Sequence, residues 1–223
     1  MPWEYRGITG AGKKPGPVGQ SSGICVVLGG GRCVWDDITK LWRMMGFTFR
    51  NSKDDEPPWT TIAVNDIACH YKPKLDHIAS LHEAQLYPSV LIRHENACHY
   101  SVPLTHTQRH GVDRPGPALY AWDLQGYVGG TSAGFAAAIA IAMGHSKVVL
   151  AGVPLDGNGH YFDPPFAKLT QFDTRTQDIQ WSAFRDYFGD VVRSMSGKTA
   201  KILSKPTEEW LIGEKVREVS YGF

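Results

Sequence analysis

Three short polar stretches each follow an apolar run: Gly29-Gly30-Gly31 after Ile24–Leu28, Asn65-Asp66 after Trp59–Val64, and Asp156 to Tyr161 after Lys147–Gly152. Glycines without a Cβ let backbone N–H groups approach a phosphate, and a helix that follows adds the positive end of its dipole. Arg32, next in sequence, offers a fixed cation for the same anion. The Asn65 side-chain amide both donates and accepts, as a base or ribose requires, and Asp66 stands beside it. The third stretch places the carboxylate of Asp156 and the imidazole of His160 close together in one polar loop. Tyr161 closes that stretch, and His82 directly follows another expected strand. The glycine triplet is neither the G-x-G-x-x-G dinucleotide fingerprint nor a Walker A loop, because no Lys-Ser/Thr follows it.

A fourth pattern is Thr131-Ser132-Ala133-Gly134 at the start of an alanine-rich run, whose small side chains let a helix lie close to a sheet and aim its N-terminus at the strand edge. With Gly130 it also spells G-x-S-x-G, the nucleophile elbow of serine hydrolases, which gives an alternative chemistry with Ser132 as nucleophile. The preceding residues, Asp123 to Val128, make a poor buried strand for such an elbow. His77, His82, His94, His99, His106 and His110 show no H-E-x-x-H or other tight ligand spacing, so no metal site is expected. Cys25, Cys33, Cys69 and Cys98 are widely spaced without a C-x-x-C pair, which speaks against a zinc site or a disulfide framework.

These residues need a scaffold, and the apolar patterning supplies one. Ile24–Leu28 is a continuous apolar run of the kind buried on both faces of a parallel sheet. Val34, Ile38, Leu41, Trp42 and Met45 recur at helical spacing over about 34–45, with Asp36 and Asp37 at the positive end of the dipole. Trp59–Val64 reads as the next strand, so strand, helix and strand form a βαβ unit. Further short strands are expected at 77–81 and 89–92, a helix from Ser132 to about Met143 capped by Gly144, and a strand at 147–152. A helix over about 178–195, a strand at about 200–203 and a last segment near Trp210 follow. The His-, Pro- and Gly-rich stretch 96–126 carries no assignable pattern and suits a functional loop or lid. The expected architecture is α/β: a Rossmann-like, mostly parallel sheet with helices on both faces in a single domain over 23–223, behind an irregular arm over 1–22. In such a sheet the loops after the strands converge on one crevice.

The totals exclude several classes. At 223 residues, 42% hydrophobic and 20% charged, the chain is of ordinary globular composition. A net charge of +1 gives no global reason to bind nucleic acid. No apolar stretch approaches the ~20 residues that span a bilayer, and the start is polar, so a cytoplasmic protein is expected.

The glycine turn at Val26–Gly31, the strand-Asn at Ala63–Asn65 and the block T-S-A-G-x-x-A-A-x-A-I-A-M-G-x-x-K-V-V-L-A-G-V at Thr131–Val153 resemble the bacterial sialyltransferases that act on lipooligosaccharide. They are also similar to domains of motility-accessory glycosyltransferases and archaeal hydroxymethylpterin diphosphokinases. The resemblance spans 23–165, and its specific part is Thr131–Val153. It implies a nucleotide-sugar donor of CMP or UDP type as substrate, no tightly bound cofactor, and transfer to a hydroxyl acceptor: a glycan, a small molecule or a modified nucleic-acid base. Carried onto this chain, Gly29, Gly30, Gly31 and Gly152 would border phosphate and ribose, and Asn65 with Asp66 would meet the nucleotide. The Thr131, Ser132, Ala133 and Gly134 turn would hold the donor together with His82, and His160 would be the base of a metal-independent transfer, with Asp156 to orient it or to hold the acceptor, or else to cap a turn. A non-catalytic nucleotide-binding protein is a second alternative, and a homo-oligomer stays open.

Overall fold

The computed structural model describes residues 23–82, 86, 99–103, 119–122, 124, 131–165 and 174–213. The arm expected over 1–22 and the strand expected at 89–92 lie outside the described residues.

Ile24–Leu28 (β1), Thr60–Val64 (β2), His77–Ala79 (β3), His99–Pro103 (β4), Leu119–Trp122 (β5), Lys147–Ala151 (β6) and Val192–Ser194 (β7) form one seven-stranded sheet, ordered β5-β4-β3-β2-β1-β6-β7. Every described pairing is parallel. The five residues of β1 are at most 2% exposed, as a strand covered on both faces must be. Their side chains alternate between two cores: Ile24, Val26 and Leu28 join one, Cys25 and Val27 the other. Burying each such aliphatic side chain contributes about 1.5–3 kcal/mol.

The helix after β1, Val34–Met44 (α1), covers the first core with Val34, Ile38, Leu41 and Trp42. It closes on a Schellman motif in which Gly46 takes the left-handed conformation at φ +83° while Phe47 N–H donates to Trp42 O and Gly46 N–H to Arg43 O. The helix Ser132–Ala142 (α2) brings the chain from the far edge back to the centre and packs in the second core. Ala133 through Ala140 are all buried, the small alanines letting the helix lie close to the sheet, and Trp181 and Phe184 of Thr174–Phe188 (α3) join the same core. Helices thus lie on both faces, as the patterning anticipates.

Three assignments need correction. The stretch 96–126, expected to be irregular, supplies β4 and β5. The last helix of the core ends at Phe188, not Met195. Gly189 donates to Arg185 O there, and Val192–Ser194 pairs with β6 instead. The strand expected at 200–203 is a helix, Gly197–Leu203 (α4), because Thr199, Ala200 and Leu203 share one buried face. Short apolar runs fit either period, and a sheet edge or a preceding glycine decides between them. The segment near Trp210 is a short helix, Glu208–Ile212 (α5).

Candidate functional site

Strands β1 to β5 are laid down outward in one direction, and the chain then returns to place β6 against the other side of β1. Loops on either side of that junction leave toward opposite faces of the sheet and open a crevice beyond the strand C-termini. The described residues hold a cavity of about 240 Å³ there. Gly29, Gly30, Gly31, Asn65, Asp66, Thr131, Ser132, Ala133, Gly152, Asp156 and His160 all line it. Four segments far apart in sequence therefore meet on one rim.

The glycine turn does a different job from the one its composition suggests. Gly29 N–H donates to Ala151 O and Gly31 N–H to Gly152 O, each at 2.8 Å, so two of the three amides prolong the sheet and are not offered to an anion. The missing side chains matter because the backbones touch: a Cβ on Gly29 would stand 2.5 Å from Gly152 O, and one on Gly31 would stand 2.4 Å from Pro154 Cδ. Gly152, at φ +70°, is itself held from below. Its N–H donates at 2.9 Å to Asp37 Oδ2, a buried carboxylate in the first turn of α1. Asp37 also accepts from Ser196 Oγ at 2.6 Å, which leaves Cys33 Sγ to donate to Ser196 Oγ at 2.9 Å. Burial, and then the Asp37 carboxylate, push the Cys33 thiol up to about 12 despite that hydrogen bond, so it stays protonated and is no nucleophile. Lys198 N–H donates to Pro154 O at 2.7 Å, fixing the next residues of the floor.

His160 is bound to this wall. Tyr161 N–H donates to Gly30 O at 2.9 Å, and Gly31 and His160 form an antiparallel bridge. The carboxylate on the imidazole is Asp163, which sequence reasoning missed: its Oδ2 lies 3.1 Å from His160 Nδ1 and accepts from the His160 N–H at 2.7 Å. That backbone N–H, with the imidazole and the Arg32 guanidinium nearby, holds the Asp163 carboxyl below its ordinary value. An ionised Asp163 accepts a proton at Nδ1, which leaves the Nε2 lone pair as the basic position. Asp156, expected to orient His160, instead accepts from Asn158 N–H at 3.1 Å, a turn-capping contact. The signal for Asp163 was its spacing, three residues after the histidine.

The opposite wall is less satisfied. Asn65 has φ +56°, a left-handed conformation that costs a non-glycine residue, and its buried Oδ1 has no hydrogen-bond partner among the described residues. Strain and an orphaned acceptor coincide where β2 ends at the cavity. Across from it, Thr131 caps α2 by accepting from Gly134 N–H at 3.0 Å, which leaves the preceding N–H groups of Ser132 and Ala133 at the open helix end. Ser132 Oγ accepts from Leu81 N–H at 3.2 Å. Ser132 also lacks the positive φ of a strained elbow, so the geometry does not favour a hydrolase nucleophile.

Four expected site residues do not line the cavity. The Arg32 guanidinium donates to backbone carbonyls, from Nε to Asn158 O at 2.6 Å and from Nη2 to Pro164 O, outside the lining of the cavity. His82 closes a local turn with Ser80, its N–H donating to Ser80 Oγ at 3.0 Å. Gly134 is buried inside the first turn of α2. Tyr161 points the other way, edge-on to Trp35 at 5.3 Å and to His70 at 5.2 Å, and burial raises its phenol to about 12. Phe162 and Trp181 do line the cavity without having been singled out. Phe162 lies parallel to the His160 ring at 5.0 Å, and Trp181 arrives from α3 with no local signal.

No family model matches the sequence, and a comparison with curated proteins finds no relative. Among solved structures, the fold is similar to that of the sialyltransferase CstII of Campylobacter jejuni, solved in complex with a substrate analogue, cytidine-5'-monophosphate. The two align with a TM-score of 0.55 at 13% identity over 89% of each chain. The monofunctional alpha-2,3-sialyltransferase Cst-I of the same organism aligns with a TM-score of 0.46 at 10% identity, over 87% of this chain and 83% of its own. The likeness to CstII shows a sialyltransferase-like, Rossmann-like α/β fold, and nothing supports the pterin diphosphokinase side of the resemblance. Among the described residues no helix is long and apolar enough to cross a membrane, and no group of three or more His, Cys, Asp or Glu could hold a metal ion.

Proposed function

We propose that the protein is a nucleotide-sugar-dependent glycosyltransferase with His160 as general base. The observation that carries this reading is the His160–Asp163 pair, on the wall of a cavity that also receives Asn65 and the N-terminus of α2. The CMP-type donor is supported by the fold shared with CstII. In the reaction, His160 Nε2 takes the proton of an acceptor hydroxyl as its oxygen attacks the anomeric carbon of the donor. The bond from that carbon to the phosphate oxygen breaks, and the nucleotide leaves with the bonding pair. The open N–H groups of Ser132 and Ala133 at the positive end of α2 meet the charge that develops there. Asn65 Oδ1 supplies an acceptor for a ligand N–H or hydroxyl, which would relieve its own unpaired state.

The test is a thermal-shift panel of CMP, UDP, GDP, ADP and ATP, followed by turnover with the sugar donors of whichever nucleotide stabilises the protein. CMP is expected to give the largest shift. His160→Ala should keep that shift and lower transfer by ~100-fold or more. Full turnover in the variant would remove His160 from the mechanism, and stabilisation by nucleotide without turnover on any donor would leave a binding protein.

A further inference from the structure

We propose that Arg32 is a positioning residue: a strap that holds the His160-bearing segment against the glycine turn. This rests on the reading of His160 as the base.

The two carbonyls that its guanidinium engages, those of Asn158 and Pro164, bracket the stretch carrying His160, Phe162 and Asp163. Between these anchors the stretch is tied to the turn by the single amide of Tyr161 on Gly30 O. Its entry turns through three left-handed residues. Leu155, Gly157 and Gly159 all have positive φ, at +55°, +70° and +79°, and a Cβ on Gly157 would meet nothing within 4 Å. Phe162 is 43% exposed, so burial on that side of the stretch is incomplete. Packing anchors the stretch at Tyr161, against Trp35 and His70, and polar ties supply the order on the exposed side that carries Asn158 and Pro164. A guanidinium suits the task because its planar fork presents divergent donors to two acceptors at once, whereas an ammonium is a point charge on a flexible stem. The position also gives a cation directly after the glycines a use other than a phosphate: two of its donors reach across the mouth of the turn.

The test compares Arg32→Gln and Arg32→Lys with the wild-type chain, free of nucleotide, by amide hydrogen exchange of a peptide covering 156–165, and then by steady-state kinetics. Arg32→Gln should raise exchange at Tyr161 and Asp163 by about tenfold or more while the strands keep their protection, and Arg32→Lys should fall between. In turnover, kcat should drop about tenfold with the donor KM and the nucleotide thermal shift unchanged, the pattern of a misplaced base. Unchanged exchange in Arg32→Gln overturns the strap, as does loss of nucleotide affinity with kcat intact, which would put Arg32 on the donor. Should Arg32→Gln fail to fold, wild-type exchange in Arg32→Lys overturns it equally. If the wild-type protein transfers no sugar, the exchange arm still decides the strap while the general-base reading fails separately.

Discussion

The two walls of the cavity are built on opposite principles. On the side of β1 and β6, nearly every polar group has a protein partner: Gly29 and Gly31 donate to the β6 strand end, Gly152 rests on Asp37, and Arg32 and Asp163 hold His160. On the side of β2 and α2, Asn65 is strained with its Oδ1 orphaned among the described residues, and the first turn of the helix lines the cavity. The satisfied wall is scaffold, and in the proposed reaction it holds the base in place. The unsatisfied wall offers what a ligand can complete, and a strained, unpaired side chain is stability given up where function needs it.

The largest effect that separates the walls should come from Gly31→Val. Its new carbons have no room against Pro154 and Gly152 O, so we expect a loss of about 1–3 kcal/mol in urea unfolding. Unaltered stability would mean that the close approach of β1 and the β6 loop is not real. Gly30 is the contrasting position, since a Cβ there meets only His160 Cδ2 at 3.1 Å and can push the ring aside.

Asn65→Gly sharpens the other wall. Glycine accepts the left-handed backbone without strain, so the ligand-free protein should unfold at the same temperature or higher, while nucleotide affinity falls about tenfold. A clear loss of ligand-free stability would show that Asn65 is a structural residue instead.

The smallest effect compares the rim with the opposite end of the sheet. His145, 4% exposed just before β6, is pushed below its ordinary value of 6.5 by burial, with the Gly23 carbonyl partly opposing. The folded state then binds fewer protons than the unfolded chain below about pH 6.5. Its stabilising contribution is complete above that pH and is lost as pH falls toward the folded value. Asp163 also titrates low, and what it contributes is lost only below the ordinary carboxylate range. Denaturation midpoints at pH 7.5 and pH 5.5 should therefore show a modest decline that His145→Gln flattens, with the His160 contact intact. A decline of equal slope in His145→Gln would assign it elsewhere.

Sequence patterning carried most of the central sheet because β1, β2 and β6 are buried on both faces, and continuous apolar runs ending in polar turns report that directly. It was silent on β4 and β5, where histidines, prolines and aromatics interrupt any period. At the site, the convergence of Gly30, Asn65, Ser132 and His160 was legible, since strand ends share an edge once the sheet is parallel. Hydrogen-bond partners were not. Asp156 and Asp163 are equally plausible carboxylates along the chain, and only the bridge between Gly31 and His160 turns the loop so that Asp163 meets the ring.

By itself, then, the order of residues determined that β1, β2, β3 and β6 are strands and that their ends carry polar groups, because burial periodicity is a local property of the chain. The tertiary structure decided how those groups are spent. Gly31 N–H completes the sheet, Arg32 binds carbonyls and Asn65 Oδ1 is left bare because each depends on a neighbour more than a hundred residues away or on the lack of one. Spacing along a sequence does not encode such partners until the backbone has folded.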